Sequence, residues 1–540
     1  MTALVTDNLP LLAGAPNGIK KLRELILELA VRGKLLEQNS NDEPASELLT
    51  NIAKEKALLI ENKTIRKGKP LPDIEQDEMQ FKLPIGWEWV RLGQIGDWGA
   101  GATPARGNSS YYGGEMPWFK SGELIADFIS DSEESVTELA LKECSLRRNR
   151  PGDVLIAMYG ATIGKTAILR VEGTTNQAVC ACTPFNGVFN RYLLLTLKAL
   201  KSNFIGQGAG GAQPNISREK IVATVTGLPP LAEQHRIVAK VDELMTLCDR
   251  LEAQQADAES AHAQLVQALL DSLTQASNAA ELATNWQRLA EHFHTLFTTE
   301  SSIDALKQTL VQLAVMGKLV PQRLNDEPAI SLLQRNGIKS EPHALQGWAK
   351  LPLGHLGQIF GGSTPSKGNK EFWSGDIPWV SPKDMKRPLI HDSEDHISAK
   401  ALAETSLKSI PPKSLLMVVR GMILAHSFPV ALTVREVTIN QDMKALVPPK
   451  ELSDYLLMYL QAAKGEMVGL VDRSSHGTCK LISEKLWSHT VLLPPLAEQH
   501  RIVAKTDQLM TLCDQLKTRL TQSRQLNEQL ASTLVEQVMA

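Results

Sequence analysis

This 540-residue chain lacks several things, and each absence narrows what it can be. No apolar run approaches the roughly 20 residues that a membrane-spanning helix needs. The first residues, MTALVTDNLPLLAGAPNG, have neither a basic start nor a clear small-residue cleavage site, so no secretory signal is expected. The six cysteines are scattered without a CxxC pair, and a reduced, cytoplasmic protein fits that usage. A net charge of −3 argues against a protein coated in basic surface.

Catalytic signatures are missing too. GATIGKT at 160–166 has three residues between its glycines where a phosphate-binding loop needs four. It reads as a turn before a strand. No Asn-Pro-Pro-aromatic string of the usual adenine-methyltransferase kind is present. Asp384-Met385-Lys386 is a lone D-x-K without the upstream Pro-Asp of a nuclease. His292 and His294 stand without other ligands in the sequence around them.

What the chain does have is duplication. LPPLAEQHRIVAKVDELMTLCDRL at 228–251 returns as LPPLAEQHRIVAKTDQLMTLCDQL at 493–516. Only Val241/Thr506, Glu243/Gln508 and Arg250/Gln515 differ, at an offset of 265. Self-similarity of this kind sets the architecture before anything else is read. Pro229-Pro230 and Pro494-Pro495 force an extended approach, and a helix can begin directly after them. Apolar residues then recur at helical spacing: Leu231, Ile237, Leu244, Cys248 and Leu251 in the first copy, Leu496, Ile502, Leu509, Cys513 and Leu516 in the second. The stripe runs on through Leu265, Leu269 and Leu273, and through Leu520, Leu526, Leu530, Leu534 and Val538. The pattern predicts two equivalent long helices paired as an antiparallel coiled coil, the first ~65 Å long.

A second repeat precedes each block. LAVRGKL…NDEPA (29–45) matches LAVMGKL…NDEPA (313–329), at an offset of 284. Gly33-Lys34 and Gly317-Lys318 read as a helix stop with a cation near the last carbonyls. NDEPA opens another short helix. KTIRKGKPLPDIEQDE at 63–78 reads as a linker or exposed arm.

Between the helical copies lie two blocks, 81–228 and 345–493, with short β-rich runs such as DVLIAMYG, TAILRV and AVCACTPF. They share landmarks in order: Gly86-Trp87 with Gly347-Trp348, GATP at 101–104 with GSTP at 362–365, Pro117-Trp118 with Pro378-Trp379, Asn176-Gln177 with Asn440-Gln441. Elsewhere they diverge. By direct count the blocks carry about +2 and +3, leaving about −8 for the rest. A copied scaffold carrying different inserts suits a protein that reads two different things at a fixed separation. Candidate DNA contacts in the first block are Thr103, Arg106, Lys120, Ser121, Tyr159, Asn176, Gln177, Gln213 and Asn215. In the second they are Thr364, Lys367, Lys383, Arg420, Asn440, Gln441, His476 and Lys480. Asn and Gln pair bidentately with adenine, Arg and Lys with guanine.

Taken together, the doubled LPPLAEQ-plus-helix segment, the LAVxGKL…NDEPA repeat and the GxTP, PW and NQ landmarks resemble the specificity subunits (HsdS) of type I restriction-modification enzymes. The resemblance spans nearly the whole chain, and the long helical segment before the first block resembles one subgroup. It implies an α+β fold. Two mixed α/β target recognition domains, 81–228 and 345–493, are separated by long helices with a pseudo-twofold internal repeat. Helical regions fill 1–80, 229–344 and 494–540. It implies a non-catalytic subunit whose two domains each read half of an asymmetric bipartite duplex site. The helices would set the spacing and dock two modification subunits through the apolar positions above. No cofactor is expected on this chain. S-adenosylmethionine, ATP and Mg are expected on the modification and restriction subunits. A coiled-coil adaptor with protein-binding blocks, and a standalone enzyme, are the competing readings.

Overall fold

The computed structural model describes residues 9–208, 215–473 and 479–539. Pro230 and Pro495 lack the N–H that a helix interior would need, but their carbonyls accept the first helical bonds, from Gln234 and Gln499, each at 2.9 Å. From there run the two long helices, Leu231–Gln275 and Leu496–Met539. The chain divides into two compact units, one of residues up to 258 and again from 523, the other of 259–522.

In the first unit, Ile237, Val238, Val241, Leu244 and Cys248 of the central helix share a core with Leu22, Leu25, Ile26 and Leu29 of helix Gly18–Val31. The same core takes Ala531, with Leu534, Val535 and Val538 against it, from the end of the C-terminal helix. Lys21 Nζ bonds Ser532 Oγ at 2.7 Å there. In the second unit, Val266, Leu270 and Leu273 share a core with Ile303, Leu306 and Leu310 of helix Glu300–Val315 and with Cys513. Each unit thus takes the start of one long helix and the end of the other into its core. The apolar stripe is not continuous, however. Residues 252–261 and 521–527 are exposed at every position, and Leu265, Leu526 and Leu530 are exposed as well.

The helix stops at Gly33 and Gly317 form as expected. Both glycines take a left-handed φ, 67° and 70°. The next amides, of Lys34 and Lys318, bond back to Leu29 and Leu313 at 2.9 Å. The lysine acts differently from expectation. Lys318 Nζ reaches Thr274 and Ala276 carbonyls, at 2.6 and 2.9 Å, so it caps the end of the central helix rather than its own.

Each block is entered and left on paired strands. Glu88–Arg91 lies antiparallel to Val225–Leu228, and Ala349–Pro352 to Thr490–Leu493. These paired-strand necks, the second widened to three strands by Glu341–Pro342, deliver the chain straight into the Pro-Pro helix starts. Beyond the first neck stands a five-stranded sheet ordered Gly96–Ala100, Val179–Pro184, Val154–Ala157, Thr166–Leu169, Phe128–Ile129. The second block repeats that order with Gln358–Gly361, Met443–Val447, Leu415–Val418, Val430–Thr433, Leu389–Ile390. Three of the runs recognisable in the sequence are thus strands. Val154–Ala157 is buried on both faces: Val154 and Ile156 face helix Asn190–Ala199, while Leu155 and Ala157 face a second cluster with Phe119 and Ile129. Such a strand reads as a continuous apolar run instead of an alternating one.

The stretch 63–78, expected as an exposed arm, is pinned onto the first block. Arg91, 4% exposed, bonds the carbonyls of Pro72 and Asp73, each at 2.8 Å, and grips Glu78 at 2.6 Å. The Arg91 bond holds the Glu78 carboxyl below its ordinary pKa. Sequence alone could not show this, because the partner of the arm is a single arginine outside it.

Candidate nucleic-acid interface

The near-identity of the LPPLAEQHR copies has a physical cause. Its Glu, Gln and Arg each make one matching bond in both copies. Glu233 is 1% exposed and accepts Trp87 Nε1 at 2.9 Å; Glu498, also 1% exposed, accepts Trp348 Nε1 at 3.2 Å. Burial raises both carboxyls above their ordinary pKa. Gln234 and Gln499 bond the carbonyls of Pro229 and Pro494. Arg236 pairs with Asp42 at 2.5 Å, and Arg501 with Asp326 at 2.6 Å. The Gly-Trp landmark and the NDEPA repeat therefore exist to meet this helix start.

Each block carries a second copied frame. The GxTP loop, the PW strand and the Asn-Gln turn, far apart in sequence, meet. Thr103 Oγ1 donates to Gln177, and Thr364 Oγ1 to Gln441. Trp118 Nε1 bonds Ala102 O, and Trp379 Nε1 bonds Ser363 O, each at 3.0 Å. Asn176 Oδ1 accepts from Ala178 N and Asn440 Oδ1 from Asp442 N, closing each turn on itself. Thr103, Asn176, Gln177, Thr364, Asn440 and Gln441 are thus committed to the frame. A side chain shared by both blocks cannot be what makes the two blocks differ.

The frame needs glycine at one point. A Cβ on Gly101 would collide with the Thr175 and Asn176 carbonyl oxygens, and one on Gly362 with that of Asn440. Gly362→Ala is expected to cost about 1–3 kcal/mol, as an overpacked site does. Recognition by the second block should be lost while the first is untouched. Methylation protection or binding assays on each half-site separately would check this.

Three of the candidate DNA-contacting cations are already paired with carboxylates. Arg106 pairs with Glu134 at 2.6 Å and lies 4.9 Å from the Trp118 ring centroid. Lys120 bonds Glu133 at 3.1 Å and Glu134 at 3.0 Å. Lys383 bonds Glu394 at 3.1 Å and Asp395 at 2.9 Å. Bonds to these carboxylates raise the pKa of all three, led by Glu134 for Arg106 and Lys120 and by Asp395 for Lys383. Lys120 follows Trp118 by two residues and Lys383 follows Trp379 by four, yet they reach matching acidic pairs after a shared Asp-Ser. Ser121 opens a short turn beside Lys120. Lys367 is exposed on the second GxTP loop.

The remaining candidates fall at matching places in the two blocks. Tyr159 bridges antiparallel to Asn215, and Arg420 to Lys480. In each block the pair joins the loop after the central buried strand to the segment leading toward the long helix. Tyr159, Asn215, Arg420 and Lys480 are all exposed. Their chemistry differs completely: a phenol with an amide in one block, two cations in the other. Gln213 and His476 lie outside the described residues.

Of the helix positions, Ile237, Leu244, Cys248, Ile502 and Cys513 are buried inside the units. Leu251, Leu496, Leu509 and Leu516 are half-buried, and Leu231 is exposed. The exposed leucines 265, 526 and 530 were part of the predicted stripe, but only the fold separates them from the buried ones.

Comparison with known proteins agrees with this layout. The profile of the type I restriction modification DNA specificity domain matches twice, at residues 84–259 and 346–524. The chain is 34% identical over 565 residues to the type I restriction enzyme EcoAI specificity subunit of Escherichia coli, covering 96% of this chain and 93% of that one. It is 32% identical over 586 residues to the EcoEI specificity subunit of the same organism, with the same coverage of each chain. A crystal structure of an HsdS subunit from Thermoanaerobacter tengcongensis, 19% identical, aligns over 86% of this chain and 99% of that one with a TM-score of 0.41.

Proposed function

The chain belongs to the type I restriction-modification DNA specificity family, and from that premise we propose how its parts divide the work. It is a DNA-recognition subunit with two recognition blocks and no chemistry of its own. Each block reads one half of an asymmetric, split duplex site. One observation carries this reading. The blocks share strand order and frame, yet present Tyr159 with Asn215 in one and Arg420 with Lys480 in the other at matching positions. A fork such as Arg420 suits guanine, and an amide such as Asn215 suits adenine.

The helices would hold the separation and receive two modification subunits, which bring S-adenosylmethionine and methylate adenine. Restriction subunits with ATP and Mg would complete the assembly. Exposed leucines on both long helices support a docking role. Among the described residues no helix is long and apolar enough to cross a membrane, and we place the complex in the cytoplasm with its DNA.

The test is methylome sequencing of a methylation-free host carrying this chain with its modification subunit. N6-methyladenine at one split, asymmetric motif is expected. A palindromic or uninterrupted motif would overturn the two-block reading. No methylation from an assembled complex would favour a protein-binding adaptor. In the same assay Arg420→Gln should relax or change one half-site only. The loss of a bidentate contact is worth about 1–3 kcal/mol of base discrimination.

A further inference from the structure

The two copies differ most between NDEPA and Gly-Trp. There, 45 positions separate Asn41 from Gly86, but only 22 separate Asn325 from Gly347. The extra residues prolong helix Ala45–Glu61 and then form the arm that Arg91 pins. The residue in the place of Arg91 in the second neck is Pro352, which cannot hold an arm. The arm is therefore a feature of the first unit alone.

Its cations are clustered within a short run. Lys63, Arg66, Lys67 and Lys69 are all exposed, and none has an ion pair among the described residues. In the block, Arg106, Lys120, Arg147, Arg148, Arg191 and Lys198 are each held by a carboxylate, while the scattered Lys142 and Lys201 are exposed and, like the arm's cations, have no ion pair among the described residues. The run is also tethered at both ends. Ile65 packs on the core of the first unit and its amide bonds Leu59 O at 3.2 Å, while Pro72 and Asp73 are gripped by Arg91. Four positive charges over seven residues without an ion pair among the described residues, held close to a recognition block, suit the charge of a nucleic-acid backbone.

We propose that the arm, through Lys63, Arg66, Lys67 and Lys69, grips the phosphate backbone of the duplex on the side read by the first block. This rests on the DNA-recognition reading above, and adds to it a contact outside both recognition blocks. The arm supplies affinity without reading bases, and it does so at one half of the site only. The complex is thereby asymmetric in grip as well as in sequence.

The experiment uses the assembled complex with its modification subunits, carrying Lys63→Gln, Arg66→Gln, Lys67→Gln and Lys69→Gln together. Binding is measured against salt on a duplex with the methylated motif and on one without it. The slope of log K against log salt should fall in magnitude by about three to four, at roughly 0.9 for each of the four phosphate contacts. Both affinities should drop together, leaving the methylated motif and the specificity ratio unchanged. A hydroxyl-radical footprint should shrink at one end only. An unchanged slope, or a footprint unchanged at both ends, overturns the arm contact while leaving the DNA-recognition reading intact. Loss of assembly with the modification subunits instead would make the arm a subunit-docking element and overturns it too. A wild-type complex that binds no duplex overturns both readings.

Discussion

Trp348→Ala should lower the melting temperature of the second unit by on the order of 10 °C and leave the first unit's transition where it is. Trp348 is 1% exposed and packs in one core with Leu351, Leu493 and Ile502. Removing a buried tryptophan costs about 3–5 kcal/mol, and at this size each kcal/mol moves the midpoint by roughly 2–4 °C. The substitution also strips Glu498 of the indole that serves one of its oxygens; its other oxygen, Oε1, is already buried without a partner. Calorimetry of the complex would read the effect.

Glu498→Gln, in contrast, should stabilise at neutral pH, because an amide oxygen still accepts the indole N–H and no charge is buried. The sign follows from the direction of the shift. Burial raises the Glu498 carboxyl above its unfolded value. Its contribution to stability is then complete below the ordinary carboxylate range. It is lost as pH rises through the higher folded pKa. The Gln variant should flatten that dependence. A variant that remains as pH-dependent as the wild type would exclude Glu498 as its source.

Removing seven residues from 252–261 together with residues 521–527 should bring the two half-sites closer by roughly two to three base pairs. Each deletion shortens its helix by about 10 Å, at 1.5 Å per residue. Seven residues are close to two whole turns, so the flanking faces rotate by only about 20°. All of the deleted positions are exposed, so both flanking cores keep their residues. The same half-sites with a shorter gap, read from the methylome, would establish the helices as the spacing element. Unchanged half-sites at the original gap would refute that. Deleting from one helix alone should abolish methylation, since the heads and tails that share each core would fall out of register.

How much of this was legible in the sequence differs from part to part. The long helices were, because Pro-Pro, the 3.6-residue stripe and two near-identical copies point to one answer. The buried strands were as well, since runs such as VLIA and TAIL leave no other place to go. The break in the stripe was not: Leu526 and Leu530 obey the same period as Leu534, and only the packed neighbours decide which are covered. The frame was half visible. The shared Thr, Trp, Asn and Gln stood out as landmarks, but repetition reads equally as function or scaffold, and the hydrogen bonds assign them to scaffold. Charge was the least legible property. Lys120 and Lys383 look free in sequence, and their carboxylate partners lie 11 to 14 positions away.

The paired-strand necks set how such a protein can change. Glu88 faces Leu228 and Ala349 faces Leu493 across adjacent strands, so the two ends of each block lie about 5 Å apart. A replacement block must match its surroundings at that pair of ends, at one tryptophan and, in the first unit, where Phe189 N meets Gln234 and Arg191 meets Asp242 of the central helix. Crossovers in the copied DNA that encodes the flanking segments would exchange a whole cassette without disturbing the rest. The same duplication that gives the helices their symmetry also provides the homology for such recombination. A lineage could thus acquire a new target by one genetic event, whereas altering recognition residue by residue would pass through many non-functional intermediates.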